Sequence, residues 1–307
     1  MQIHTSWQGL DPAFRGASCA MGNFDGVHLG HQSVIELARR AQPLGIITFE
    51  PHPREVFVPE APAFRLMNAE ARANRLAKLG VDHLYQLDFD HHLSALSPEA
   101  FARDVLAQGL GIAHVVVGAD FCFGKGRAGT AQDLKALGTT YGFATTIADL
   151  ISADGKPVSS SAIRQALSEG KPREAAAMLG HWHRIEGEVI HGEKRGRELG
   201  YPTANMSVAG LHLPKLGVYA VKADVLTGPH RGSYNGAASL GVRPMFGVNQ
   251  PNLETFLFDF KGDLYGAHLS IAFVDYLRPE MKFDGLAALI AQMDADCLRA
   301  RQILAGS

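Results

Sequence analysis

The 307-residue chain lacks any apolar run of about 18 residues, the length a helix needs to cross a bilayer, so no membrane span is expected. Cysteine is scarce: Cys19, Cys122 and Cys297 lie far apart and match no zinc or redox spacing. They read as reduced thiols packed as small hydrophobes. Neither sign of charge dominates. The 29 Lys+Arg against 31 Asp+Glu leave a formal charge of −2, so no broad basic face for nucleic acid is implied. The start, MQIHTSWQGLDPAF, has no basic segment followed by an apolar core, so no signal peptide is read there and a cytoplasmic location is expected. The Gly-Lys-Ser/Thr phosphate loop, internal repeats and low-complexity segments are also absent. What remains is 46% hydrophobic and 20% charged, the balance of a globular protein long enough for two domains.

Up to residue 150, apolar runs alternate with helical patterns. Strands are expected at 17–23, 44–49, 82–87, 114–118 and 143–149. The helix over 33–41 would place Val34, Leu37, Ala38 and Ala41 on one face. Asn68 caps a helix at 69–79, and Ser97-Pro98-Glu99 starts another with a hydroxyl, a proline and an acid facing the dipole. Such alternation implies a doubly wound parallel sheet, with ligands beyond the carboxyl ends of its strands. Short helices follow at 161–167 and 172–179, the second ended by Gly180. From 184 to 277 short alternating runs separated by Gly, Pro, Asn and Asp read as an antiparallel barrel or sandwich. Asp284 is a candidate cap for a closing helix whose apolar face holds Leu286, Leu289, Ile290, Met293 and Cys297. The expected domains are 1–183 and 184–307.

The stretch MGNFDGVHLGHQ, Met21–Gln32, follows a buried run. Gly22, Gly26 and Gly30 allow tight turns and close backbone approach. His31 would open the next helix, whose free N–H groups attract anions. His28 and His31 can donate hydrogen bonds to phosphate oxygens without carrying a fixed charge. That suits a reaction at phosphorus run by positioning rather than by a covalent nucleophile. A turn with two surface histidines is the competing reading. Ser159-Ser160-Ser161 begins a helix with Arg164 in the first turn, where a cation opposes the dipole unless an anion is bound in front. The loop from Gly118 to Arg127 mixes Asp120, Phe121, Phe123, Gly124, Lys125 and Arg127, able to stack a ring and meet its phosphate. His52, between two prolines, is read as structural.

The second half has its own polar set. Gly192 to Gly200, with Arg195 and Arg197, is a glycine-spaced basic loop able to fold over phosphates. Thr203 and Asn205 are hard oxygen donors two residues apart, which suits Mg²⁺, although an ordinary polar turn fits as well. Glu254 stands in an apolar strand, where burial would raise its pKa towards a useful general base; a solvent-facing alternate position is the other reading. Lys261–Gly266 has the glycine and acid of a hairpin connection.

These segments carry a resemblance. G-N-F-D-G-V-H-L-G-H, T-F-E-P-H-P-R-E-V-F, G-A-D-F-C-F-G-K-G-R-A-G and S-S-S-A-I-R closely resemble the adenylyltransferase half of the bacterial bifunctional riboflavin kinase/FAD synthetases. G-R-E-L-G-Y-P-T-A-N, G-V-R-P-M-F-G and L-E-T-F-L-F-D-F-K-G-D-L-Y-G resemble the kinase half. The resemblance implies a Rossmann-like nucleotidyltransferase domain with a parallel sheet, then a six-stranded antiparallel barrel with a closing helix. It implies phosphorylation of riboflavin by ATP to FMN, and adenylation of FMN by a second ATP to FAD and pyrophosphate, with Mg²⁺ as cofactor. By the same resemblance His28, His31 and Arg164 stabilise the adenylyl transition state. Asn23, Asp25, Gly30, Ser159 and Ser160 hold ATP, Asp120 and Phe121 lie near the flavin or the adenine, with flavin the assignment taken, and Gly124 lies by the flavin. In the kinase half Glu254 is the base, Gly192, Arg197, Thr203 and Asn205 serve ATP, Thr203 and Asn205 take the metal, and Arg243 lies by the flavin. Partners are expected to be small molecules, with oligomeric state left open. Two positions depart from the pattern: Met245 stands where threonine is expected, and Ser239 where asparagine is. They keep open an enzyme with only the adenylyltransferase half active; a flavin-binding regulator that turns nothing over is a separate alternative, against which Glu254, Thr203, Asn205, His28 and His31 argue.

Overall fold

The computed structural model describes residues 1–149, 152–153, 156–192, 200–245 and 248–306; of 152–153, 156–157, 243–245 and 248–250 only the backbone is described. Packing divides the chain into two compact units. The first holds Met1–Pro62 and Arg72–Val158, the second Ala63–Ala71 and Ser159–Ser307. This grouping differs from a boundary at 183. The helices Ser160–Ser168 and Pro172–Leu179 bury Ile163, Leu167, Ala175 and Leu179 around Leu66, so their apolar faces belong to the second unit.

The first unit is built on a six-stranded parallel sheet. Its strands are β1 (Gln2–His4), β2 (Ser18–Met21), β3 (Leu44–Glu50), β4 (His83–Asp88), β5 (His114–Gly118) and β6 (Ala144–Ala148). Their order is β1-β4-β3-β2-β5-β6, all pairs parallel. Burial is continuous along β2 and most of β3, as it must be when both faces are covered. Gly45 lets β3 pass its neighbours: a Cβ there would lie 2.5 Å from Cys19 Sγ. Cys19 is fully buried, as a thiol packed as a hydrophobe should be, and burial pushes its pKa up. Strand order reverses at β2, so the crevice for a ligand opens beyond its carboxyl end.

Helix α1 (Leu29–Ala38) follows β2. It buries Ile35 and Ala38, whereas Leu37 is 47% exposed, so the apolar face expected at Leu37 and Ala41 is corrected. Next come α2 (Pro53–Phe57), α3 (Ala69–Lys78), α4 (His91–Ser94) and α5 (Pro98–Ala100), which runs on as a π-helical stretch, Phe101–Leu110. The expected caps are in place: Asn68 Oδ1 accepts the Ala71 N–H at 2.8 Å, and Ser97 Oγ that of Ala100 at 3.1 Å. Helix α6 (Ala131–Tyr141) precedes β6.

In the second unit, α7 (Ser160–Ser168) and α8 (Pro172–Leu179) lead into a six-stranded antiparallel sheet. Its strands are β7 (Arg184–Glu188), β8 (Thr203–Ser207), β9 (Gly217–Val225), β10 (Gly232–Met245), β11 (Val248–Leu257) and β12 (His268–Arg278). The order is β7-β12-β9-β10-β11-β8. A single bridge, Ile190 to Asn205, joins the first strand's extension to the last and nearly closes the barrel. Inward residues such as Ala204, Met206, Tyr219, Leu253, Leu257 and Phe273 fill it. β11 and β12 are not neighbours, so Lys261–Gly266 is a crossing connection and not a hairpin. Helix α9 (Leu286–Ala305) closes the chain. Its N-cap is Gly285 rather than Asp284, with no side-chain cap. It buries Ala300 and Leu304, together with Asp296, whose carboxylate Arg278 binds at 2.8–3.1 Å; Leu286 is exposed.

Candidate functional site

The histidine turn occupies the crevice expected from strand order. His28 is the N-cap of α1, its Nδ1 accepting the His31 N–H at 3.3 Å. The helix therefore begins at Leu29, two residues before His31, its expected opening, and four before the periodic stretch at 33–41, and His31 lies in its first turn. An imidazole nitrogen fills the place that a serine or aspartate oxygen usually takes. The two rings stack with centroids 3.6 Å apart and planes 17° from parallel. Burial, aided by the neighbouring His28, holds the His31 pKa well below the usual imidazole value. His31 is therefore neutral at physiological pH, a hydrogen-bond donor without charge. Its Nδ1 has no hydrogen-bond partner among the described residues. Gly30 leaves room for the first ring, since a Cβ there would meet His28 at 3.1 Å. Asn23 is exposed at the head of the turn and Asp25 is buried beneath it. Free N–H groups of the α1 start complete a surface suited to anionic oxygens.

The loop after β5 folds back on itself, pairing Cys122–Phe123 with Gly129–Thr130. Phe121 and Phe123 lie nearly parallel, 15° and 5.9 Å apart. Asp120 is exposed, as are Lys125 and Arg127. Gly124 has φ +71°, and a Cβ there would strike the Pro98 nitrogen at 2.7 Å, so glycine is required. His52 is structural as read: with Glu55 it forms the capping box of α2.

Ser159 caps α7, its Oγ accepting the Ala162 N–H at 3.2 Å, and Ser160 is the first helical residue. Arg164 thus sits more than a turn inside the helix, not in its first turn. Its Nε donates to the Phe64 carbonyl at 2.6 Å and its guanidinium lies over the Phe64 ring. Packing assigns these three residues to the second unit and both histidines to the first.

In the barrel, strand pairing assembles the other polar group. Asn205 of β8 stands opposite Glu254 of β11, and Ser239 of β10 faces Glu254 from the far side. Thr203 and Asn205 share the outward parity of β8, between inward Ala204 and Met206. Asn205 is 9% exposed and is held by Asn252, whose Nδ2 donates to its Oδ1 at 2.8 Å. Gly192 packs flat on the same side chain: a Cβ would lie 2.6 Å from it. Glu254 is half-buried. A cavity of about 440 Å³ opens beside Thr203, lined by Val189, Ala204, Thr255, Leu257 and the Phe260–Tyr265 connection. That is within the ~300–1,000 Å³ usual for small-molecule sites. No cluster of three His, Cys, Asp or Glu able to hold a metal exists among the described residues. The oxygen donors Thr203 and Asn205 instead fit a hard cation that keeps phosphate and water ligands. Arg195 and Arg197 lie outside the described residues, as do the side chains of Arg243 and Met245.

Sequence reasoning missed Asn252 and the cavity wall. Asn252 shares parity with Glu254 two residues on, a signal available in Asn-Leu-Glu; the wall depends on strand order and had none.

Two family patterns match the chain, FAD synthetase over residues 11–162 and riboflavin kinase over residues 179–304. The bifunctional riboflavin kinase/FMN adenylyltransferase of Pseudomonas fluorescens is 40% identical, covering 100% of this chain and 99% of the relative. The protein of the same name from Escherichia coli K12 is 36% identical, with 94% and 92% covered. A crystal structure from Streptococcus pneumoniae, described as a macrolide-efflux protein, is 30% identical with a TM-score of 0.81 over 96% of both chains. It supports the same two-part fold; in the present chain no helix among the described residues is long and apolar enough to cross a membrane. The chain belongs to the bifunctional riboflavin kinase/FMN adenylyltransferase family.

Proposed function

We infer that this chain phosphorylates riboflavin with ATP to FMN and adenylates FMN with a second ATP to FAD and pyrophosphate. The observation that carries this reading is the full-length match, in which each half brings its own family pattern and its own polar set. In the first half an FMN phosphate oxygen attacks the α-phosphorus of ATP and pyrophosphate leaves. His28 and a neutral His31 donate to the oxygens on which charge grows, and the α1 N–H groups assist. Asn23, Asp25, Gly30, Ser159 and Ser160 serve ATP and Arg164 the transition state, while Asp120, Phe121 and Gly124 serve the flavin. In the second half Glu254 takes the proton of the ribityl 5′-hydroxyl as that oxygen attacks the γ-phosphorus, and ADP leaves. Thr203 and Asn205 would hold Mg²⁺, which offsets phosphate charge when bound. The cavity beside Thr203 suits the nucleotide; Gly192 and Arg197 belong to the same ATP site, and Arg243 to the flavin.

We propose a functional boundary near residue 183, just inside the riboflavin kinase match, which begins at residue 179. Small molecules are the partners, with no nucleic-acid or membrane role, and the protein works in the cytoplasm. The test is separation of flavins after feeding ATP with riboflavin or with FMN. Riboflavin should give FMN and then FAD. FAD from FMN, with no FMN from riboflavin, would leave only the first half active, and no turnover from either would leave a flavin-binding regulator.

A further inference from the structure

The histidine turn is held in a strained shape from within and from outside its own sequence. Phe24 and Val27 both adopt left-handed backbone, with φ +52° and +44°, although neither is glycine and Val27 is β-branched. Both are fully buried. At the far end of the turn Gln32 Nε2 donates to the Val27 carbonyl at 2.9 Å. At the near end the Asn23 carbonyl accepts from Thr48 Oγ1 at 3.3 Å and from Arg72 Nη1 at 3.4 Å. Arg72 comes from α3, nearly fifty residues on in sequence, with 4% of its side chain exposed. Its Nη2 also binds Glu50 Oε2 at 2.8 Å and Gln86 Oε1 at 3.0 Å, at the carboxyl ends of β3 and β4.

We propose that Arg72 is a positioning residue for adenylyl transfer, anchoring the Asn23 carbonyl so that the strained turn presents His28 and His31. The inference rests on the adenylyltransferase reading of that turn. Two features make the role specific to arginine. Its planar fork spans a carbonyl, a carboxylate and an amide at once, which an ammonium on a flexible stem does not. It also neutralises Glu50, which would otherwise direct negative charge at the end of the crevice meant for a triphosphate. Arg72 touches no reacting atom in this account; it acts through Asn23.

The test compares Arg72→Met and Arg72→Lys in the full chain, reading FAD formation from supplied FMN, FMN formation from riboflavin, and the thermal midpoint. Arg72→Met should lower the adenylyl-transfer kcat about tenfold or more while KM for FMN changes little, as expected for a misplaced catalytic group. Arg72→Lys, which keeps the charge opposite Glu50, should fall between the two. FMN formation should stay near wild type in both. Unchanged kcat in Arg72→Met overturns the proposal, as does a parallel loss of both activities with the thermal midpoint. Should Arg72→Met fail to fold, Arg72→Lys decides: wild-type kcat there also overturns it. A wild-type protein unable to make FAD from FMN would instead remove the reading beneath the proposal, and the proposal with it.

Discussion

Asn205 and Glu254 face each other directly across the β8–β11 ladder, and Gly192 packs against the same Asn205 amide. The amide is pinned further by Asn252 at 2.8 Å, so it has little freedom to yield. A Gly192→Ala change, placing a Cβ 2.6 Å from the amide, should displace it. KM for Mg–ATP in FMN formation should rise about tenfold, while FAD formation from FMN is untouched. Steady-state kinetics on both inputs check this; an unchanged KM would remove Asn205 from the nucleotide site.

Thr203→Ala tests the metal. Losing one of the two proposed oxygen donors should raise the Mg²⁺ concentration for half-maximal FMN formation by about tenfold, with excess Mg²⁺ restoring the rate. A Mg²⁺ titration that superposes on wild type would show that Thr203 holds no metal.

Gly30→Ala probes the first centre more gently. The added methyl would meet the His28 ring at 3.1 Å, a contact tight enough to tilt the ring without excluding it. Adenylyl transfer should fall roughly tenfold with the thermal midpoint little changed. An unaltered rate would mean that the His28 orientation is not critical.

Buried histidines set the acid limit of stability. His114 bridges Ser18 Oγ at 2.8 Å and Thr146 Oγ1 at 2.9 Å across β2, β5 and β6. Burial, reinforced by Arg40, pushes its pKa down from 6.5 to about 4. Burial likewise lowers His183 to about 3, with His181 and His212 adding to the shift. Because the folded values are depressed, the unfolded chain binds more protons below pH 6.5. The contribution is fully present above that pH and is lost progressively as pH falls towards about 4, and towards about 3 for His183. Thermal midpoints should fall over this window, and His114→Gln should flatten the fall. Parallel curves for the two proteins would contradict the assignment.

Much of this was legible because it is local. Apolar runs mark β2 to β6, and Asn68, Ser97 and Gly180 mark helix ends through hydrogen bonds a few residues long. β1 escaped because three residues, Gln2–His4, carry no period. β8 reads as an extended polar segment and not as a sheet strand because its outward set, Thr203, Asn205 and Ser207, dominates its short length. α1 was started late because a histidine cap has no place in the usual list of capping residues. The resemblance assigns Asn205 and Glu254 to the same half, but their pairing has no signal in the sequence, since register between strands some fifty residues apart depends on the whole barrel order. The Arg72 anchor had no local signal for the same reason.

Whether one chain carries two independent centres is decided by Glu254→Ala beside His31→Ala, each given riboflavin and separately FMN with ATP. Glu254→Ala should lose FMN formation by about a hundredfold or more yet make FAD from supplied FMN, while His31→Ala should accumulate FMN and make little FAD. Equal loss of both activities in either variant would contradict two independent centres.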